Sequence, residues 1–141
     1  MPRYYEELHH TADWAIRVWG HDVEALFVHA AEAMFELQGA DFAAPATVPA
    51  HVACRGVDLE ALLVAWLNDL LFASEAHAAL FTRFAVRIVP PAGPEGDYAL
   101  EADVAGPPGR SSLAHIKAVT YYDLSVRQTA AGWEATVTFD T

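Results

Sequence analysis

The chain has 141 residues, 54% of them hydrophobic, with 19 acidic against 8 basic side chains and a formal net charge of −11. That length suits one domain over residues 1–141, and the apolar content suffices for a compact core without disulfides or structural metal. The charge disfavours strong direct binding of phosphate backbones, a local basic patch aside, and suits instead a cation, or a basic partner protein drawn in by the field.

Residues 3–8 read as a short tyrosine-rich strand, which HHTAD at 9–13 interrupts. Trp14, Ile16 and Val18 alternate with Ala15, Arg17 and Trp19, the period of a second strand that runs to Gly20. Asp22 offers an N-cap side chain. Val23, Leu26, Phe27, Ala30, Met34 and Phe35 then recur at helical spacing until Gly39 stops the helix. Residues 40–50, rich in Ala and Pro, read as a loop before a strand over 51–55. Asp58 opens a second helix, in which Leu59, Leu62, Leu63, Trp66, Leu67, Leu70 and Leu71 make a broad apolar face, so deep burial is expected; it fades near 75–79. Asn68 and Asp69 are its polar exceptions, available at one edge for a partner.

Strands over 84–89 and 98–104 flank the turn-rich PPAGPEG at 90–96 and form a hairpin. After a second such stretch, GPPGRSS at 106–112, a strand forms around Leu124 and Val126. The chain turns at 130–132. Trp133, Ala135, Val137 and Phe139 then alternate with Glu134, Thr136, Thr138 and Asp140 in a closing strand. No repeat and no internal boundary is expected. The order predicts an α+β fold, a largely antiparallel sheet with two long helices packed on one face.

No apolar run approaches the roughly 20 residues that span a bilayer. The opening MPRYYEEL has neither the basic nor the apolar region of a signal peptide, so a cytoplasmic location is expected. Cys54 is the single cysteine, which excludes an internal disulfide or a cysteine zinc cluster. Its apolar setting marks a small core residue rather than a nucleophile. No nucleophile elbow, Walker loop or dinucleotide fingerprint is present.

Two acidic residues stand at suggestive places. Asp13 lies at the junction of an irregular segment and a strand, and Asp140 lies one step beyond an apolar closing strand, before the last residue, Thr141. If the first and last strands are neighbours, two carboxylates and the terminal residue converge. Hard cations such as calcium or magnesium take oxygen ligands of this sort, and without a cation such carboxylates repel one another. The alternatives are a loop cap for Asp13 and a solvated end residue for Asp140. His9 and His10 are adjacent, so on a strand they point to opposite faces and cannot chelate together; one of them lines a site, or each is a satisfied structural histidine. Lys117, the single lysine, sits among apolar residues in IKAVTYYDL. It is either a solvated lysine whose stem covers apolar surface or a cationic contact to a nucleotide phosphate or to an acidic group of a partner.

Four segments, ELHHTADWAIRVWG at 7–20, LLVAWLNDLLF at 62–72, IKAVTYYDLSV at 116–126 and WEATVTFDT at 133–141, resemble the archease family. The helix EALFVHAAEAMFEL at 24–37 agrees, and the resemblance covers essentially the whole chain in order. It implies a non-enzymatic accessory protein that activates an RtcB-type RNA-splicing ligase, promoting its guanylylation and multiple turnover in tRNA splicing and RNA repair. It implies a divalent cation, calcium first with magnesium or manganese as alternatives. The ligands would be the aspartate of HTAD, the aspartate of the closing FD and the last residue, here Asp13, Asp140 and Thr141. Lys117, as the lysine of the IKAVT motif, and His10 of HHTAD are the implied contacts to the partner ligase. Family members often end in FDI or FDV where this chain ends in FDT, a change that a main-chain ligand survives. Tyr122 stands where the family often has histidine, so that histidine's role is not carried over, and Asp123 replaces a common glycine, so a differently shaped turn is expected. Two other readings remain: a small metal-dependent hydrolase of phosphoesters or nucleotides with His10 as its base, and a chaperone-like binding module that uses no metal.

Overall fold

The structure, a computed structural model, describes residues 4–9, 14–109 and 116–141, with His9 described by its backbone alone. Its two helices are launched in the same way. Asp22 and Asp58 sit in extended backbone, and each carboxylate accepts from the N–H three residues on, Ala25 at 2.7 Å and Ala61 at 2.8 Å. α1 (Val23–Leu37) and α2 (Leu59–His77) follow. The segment from Gly20 to Leu26, GHDVEAL, returns as GVDLEAL from Gly56 to Leu62, a short repeat where none was expected. A Cβ at Gly20 would stand 2.5 Å from the Leu26 nitrogen, and one at Gly56 would stand 2.4 Å from the Leu62 nitrogen. Glycine is therefore needed at both positions, because the first turn of each helix lies directly on the end of the strand before it.

The strands form two antiparallel sheets. β1 (Tyr5–His9), β2 (Trp14–Gly20), β6 (Ala118–Thr129) and β7 (Gly132–Asp140) make a four-stranded sheet in the order β1-β2-β7-β6. β3 (Val48–Gly56), β4 (Arg83–Val89) and β5 (Tyr98–Gly106) make a three-stranded sheet in the order β3-β5-β4. The expected α+β class, with antiparallel strands and two long helices, is what forms. The strands divide between two sheets rather than one, and each helix packs on both, α1 on β2 and β4, α2 on β3 and β6. The breadth of the apolar faces explains this. α2 buries Leu62, Leu63, Val64, Trp66, Leu67, Leu70 and Leu71, more surface than one sheet can cover. The Trp66 indole N–H donates to the Phe27 carbonyl at 3.0 Å, which ties the two helices together.

Element limits differ from the sequence reading where tertiary pairing extends a strand. β3 begins at Val48 inside the expected loop and includes Pro49, which an edge strand tolerates. β5 runs on to Gly106 because β3 pairs with it to that residue. β6 is a long strand with a bulge: its register against β7 passes from Thr120–Thr138 to Ser125–Thr136. Asp123 within the bulge has φ 51°, a left-handed conformation that aspartate tolerates better than most residues. Tyr121 and Tyr122 beside it are exposed. Among the described residues no helix is long and apolar enough to cross a membrane.

The glycine requirement predicts that Gly56→Ala lowers folding stability by about 1–3 kcal/mol, the range for forcing atoms into packed space. Gly93→Ala, with nothing within 4 Å of the added carbon, serves as the neutral control in the same urea titration.

Candidate metal centre

The middle strands of the four-stranded sheet decide which distant residues meet. His9 pairs with Trp14, Trp14 with Phe139, and Phe139 with Val119, one continuous rank across β1, β2, β7 and β6. One step further out Asp140 pairs with Ala118, and the Lys117 N–H donates to the Asp140 carbonyl at 2.8 Å. Asp140, Thr141 and Lys117 thus gather at one end of the sheet. Asp13 and His10 lie outside the described residues. By covalent connection Asp13 precedes Trp14 and His10 follows His9, and both of those neighbours belong to the rank just described.

Apolar anchors hold this end. Ile116, Val119 and Phe139 are 1%, 4% and 2% exposed, whereas the side chains of Lys117, Asp140 and Thr141 stand in solvent. The floor is therefore packed and the rim polar, as a site on a rigid element requires. β6 is an edge strand, so outward backbone groups lack a strand partner. Asn68 of α2 supplies one: its amide nitrogen donates to the Val119 carbonyl at 3.2 Å, and its oxygen accepts from the Val119 N–H at 2.8 Å. Asn68, expected to be available for a partner, is consumed in holding the strand that Lys117 immediately precedes. Glu24 of α1 does the like for the other sheet, accepting from the Ile88 N–H on edge strand β4 at 2.9 Å. Asp69 is exposed, and partial burial still pushes its carboxyl pKa upward.

The donors on this rim are oxygens, a carboxylate at Asp140 and main-chain oxygen at Thr141, which suits a hard cation better than a soft one. Among the described residues no three His, Cys, Asp or Glu side chains cluster as a ligand set, and the candidate set includes Asp13 from outside them. Lys117 forms no ion pair among the described residues. Two other histidines are engaged elsewhere, His21 beside Asp22 at 3.1 Å and His51 beside Asp103 at 3.0 Å. Burial first, and then the nearby Asp69 charge, push the Cys54 thiol up to about 12, which agrees with its reading as a packing residue.

A model of the archease protein family matches residues 5–141. The chain belongs to the archease family. The protein archease of Methanosarcina mazei is 36% identical over 140 residues, covering 96% of this chain and 94% of that one. The protein archease of Pyrococcus furiosus is 30% identical over 138 residues, covering 94% and 95%. The solution structure of Methanobacterium thermoautotrophicum protein 1598 is 28% identical and superposes with a TM-score of 0.85, covering 99% of this chain and all of that one. A Thermotoga maritima crystal structure described as an archease, possible chaperone, is 19% identical with a TM-score of 0.67 over 96% of each chain, a likeness in fold. The resemblance read from the four segments is thus correct as to family.

Two measurements check the local analysis. Asn68→Ala leaves both Val119 backbone groups unpaired and is expected to lower stability by about 1–3 kcal/mol, with faster amide exchange at Val119; unchanged exchange there would show that the clamp is idle. Cys54 in the folded chain is expected to react with iodoacetamide at pH 8 far more slowly than in the urea-unfolded chain, since the thiolate is the reactive form; equal rates would refute its burial.

Proposed function

We propose that this chain is a non-enzymatic activator of an RtcB-type RNA ligase, working through a divalent cation held by Asp13, Asp140 and the main-chain oxygen of Thr141. The observation that supports the reading most directly is the pairing of Trp14 with Phe139. It brings Trp14 and Phe139 together at one end of the sheet although they are far apart in the chain, and Asp13 and Asp140 are their covalent neighbours. Family membership supports the partner. Calcium is the expected ion, with magnesium or manganese able to replace it, because all the donors are oxygens.

When bound, the cation supplies positive charge that offsets carboxylate repulsion at the rim. The chain's own groups do the rest. Asp13 and Asp140 orient the end of the sheet toward the ligase, Lys117 offers a cation to phosphate or to an acidic group of the partner, and His10 adds a further contact to it. Activation requires that this end bind the productive conformation of the ligase more tightly than the unproductive one, since equal affinity would shift no population. The acidic surface favours encounter with a basic partner and disfavours direct RNA binding. The description of the Thermotoga protein as a possible chaperone favours a second reading, a binding module that acts without metal.

The deciding experiment measures guanylylation and multiple-turnover ligation by a ligase from the same organism, with and without this protein. Asp13→Ala and Asp140→Ala are expected to keep the fold, judged by circular dichroism, and to reduce activation by about tenfold or more. Full activation by both variants would sink the proposal. Retained activation with no calorimetric heat on calcium addition would favour the metal-free module, and nucleotide turnover by the chain alone would favour a hydrolase.

A further inference from the structure

The stretch of chain that places Lys117 is short and is set apart from the rest of its strand. β6 is an edge strand, and its pairing with β7 breaks between Thr120 and Ser125. Before the break, the Lys117 N–H donates to the Asp140 carbonyl at 2.8 Å, and Ala118, Val119 and Thr120 pair with Asp140, Phe139 and Thr138. A bulge disrupts the ladder locally, so the residues beyond Asp123 do not fix the register of those before it.

On the outer side of this stretch, α2 takes the place of a neighbouring strand. The Asn68 Nδ2 donates to the Val119 carbonyl, and its Oδ1 accepts from the Val119 N–H. One amide group that answers both backbone groups of one residue fixes that residue in position and in direction along the strand. Asn68 is itself anchored, because its helix neighbours Trp66, Leu67 and Leu70 are fully buried. Ile116 and Val119 are buried as well, so Lys117 is an exposed residue between two packed ones, two positions from the clamp.

Lysine ends in a compact charge on a flexible four-carbon stem. Where that charge can reach is decided by where its backbone stands. Ordering a segment during an encounter adds to the cost of binding, and a segment held beforehand avoids it. We propose that Asn68 is a positioning residue for Lys117, holding its backbone through Val119 in the place from which the side chain meets the ligase. The inference rests on the activator reading of Lys117 given above. Glu24 provides the comparison. It makes a clamp of the same kind on Ile88, in the three-stranded sheet, to which neither Lys117 nor Asp140 belongs.

The test measures ligase guanylylation at saturating amounts of the full chain, well below the melting temperature of each variant. Asn68→Ala is expected to lower the saturated rate roughly tenfold. Glu24→Ala is expected to leave it unchanged, although both variants lose an edge-strand contact. Added to Lys117→Ala, Asn68→Ala is expected to cost nothing further, since the group it positions is gone. Amide exchange gives a readout independent of the ligase: the Lys117 N–H is expected to exchange faster in Asn68→Ala than in Glu24→Ala. If Asn68→Ala does not fold, Asn68→Asp keeps the acceptor for the Val119 N–H, loses the donor to its carbonyl, and is expected to shift each measurement in the same direction. Lost activation in Lys117→Ala with full activation in Asn68→Ala overturns the positioning role and leaves the activator reading standing. Full activation by Lys117→Ala, or none by the unaltered chain, overturns that reading of Lys117 and this proposal with it. An equal loss in Glu24→Ala, a further loss in the double variant, or unchanged Lys117 exchange would each refute the positioning role.

Discussion

The antiparallel ladder between β2 and β7 is the constraint on which the rest of this molecule depends. It joins residues 14–20 to residues 133–139, nearly the whole length of the chain apart. Closing so long a loop is entropically costly, although the cost rises only slowly with length. Burial of Ile16, Val18, Ala135, Val137 and Phe139 along the shared face offsets it. β1 and β6 then add to the outer edges of that pair, and both ends of the sheet acquire their character from it. One end collects Lys117, Asp140 and Thr141, and at the other Gly20 pairs with Trp133.

The helices complete this frame by two kinds of contact. Their apolar faces fill the space on both sheets, and single polar groups at their margins satisfy the exposed edges. Asn68 and Glu24 each meet a backbone group of an edge strand that no further strand reaches. An edge left open invites pairing with another chain, so these contacts stabilise the fold and also limit aggregation. The same contact at Asn68 fixes the start of β6 against α2, which relates the helix core to the rim that carries Lys117.

The proposed activator role fits the electrostatics of the chain. An acidic chain gathers cations more readily than anions. At the Asp140 end the available donors are oxygens, suited to a hard inorganic ion.

Much of this was legible in the sequence. The alternation of Trp14, Ile16 and Val18, the helical spacing from Val23 to Phe35 and the broad apolar face after Asp58 reflect local geometry, in which side-chain period follows directly from backbone period. Family membership was legible too, because four short segments in order carry it. The division into two sheets was not, since hydrogen bonding between distant strands leaves no local period. Nor was the role of Asn68, which looked like a free polar exception until the edge of β6 came to lie beside it. The bulge at Asp123 extends a strand that reads as shorter in the sequence, and the need for glycine before both helices depends on the close approach of strand end to helix backbone. The amino-acid order alone therefore determined the elements, their faces and the acidic residues available for a site. Only the tertiary structure decided which ends meet, because that depends on register between segments far apart in the chain.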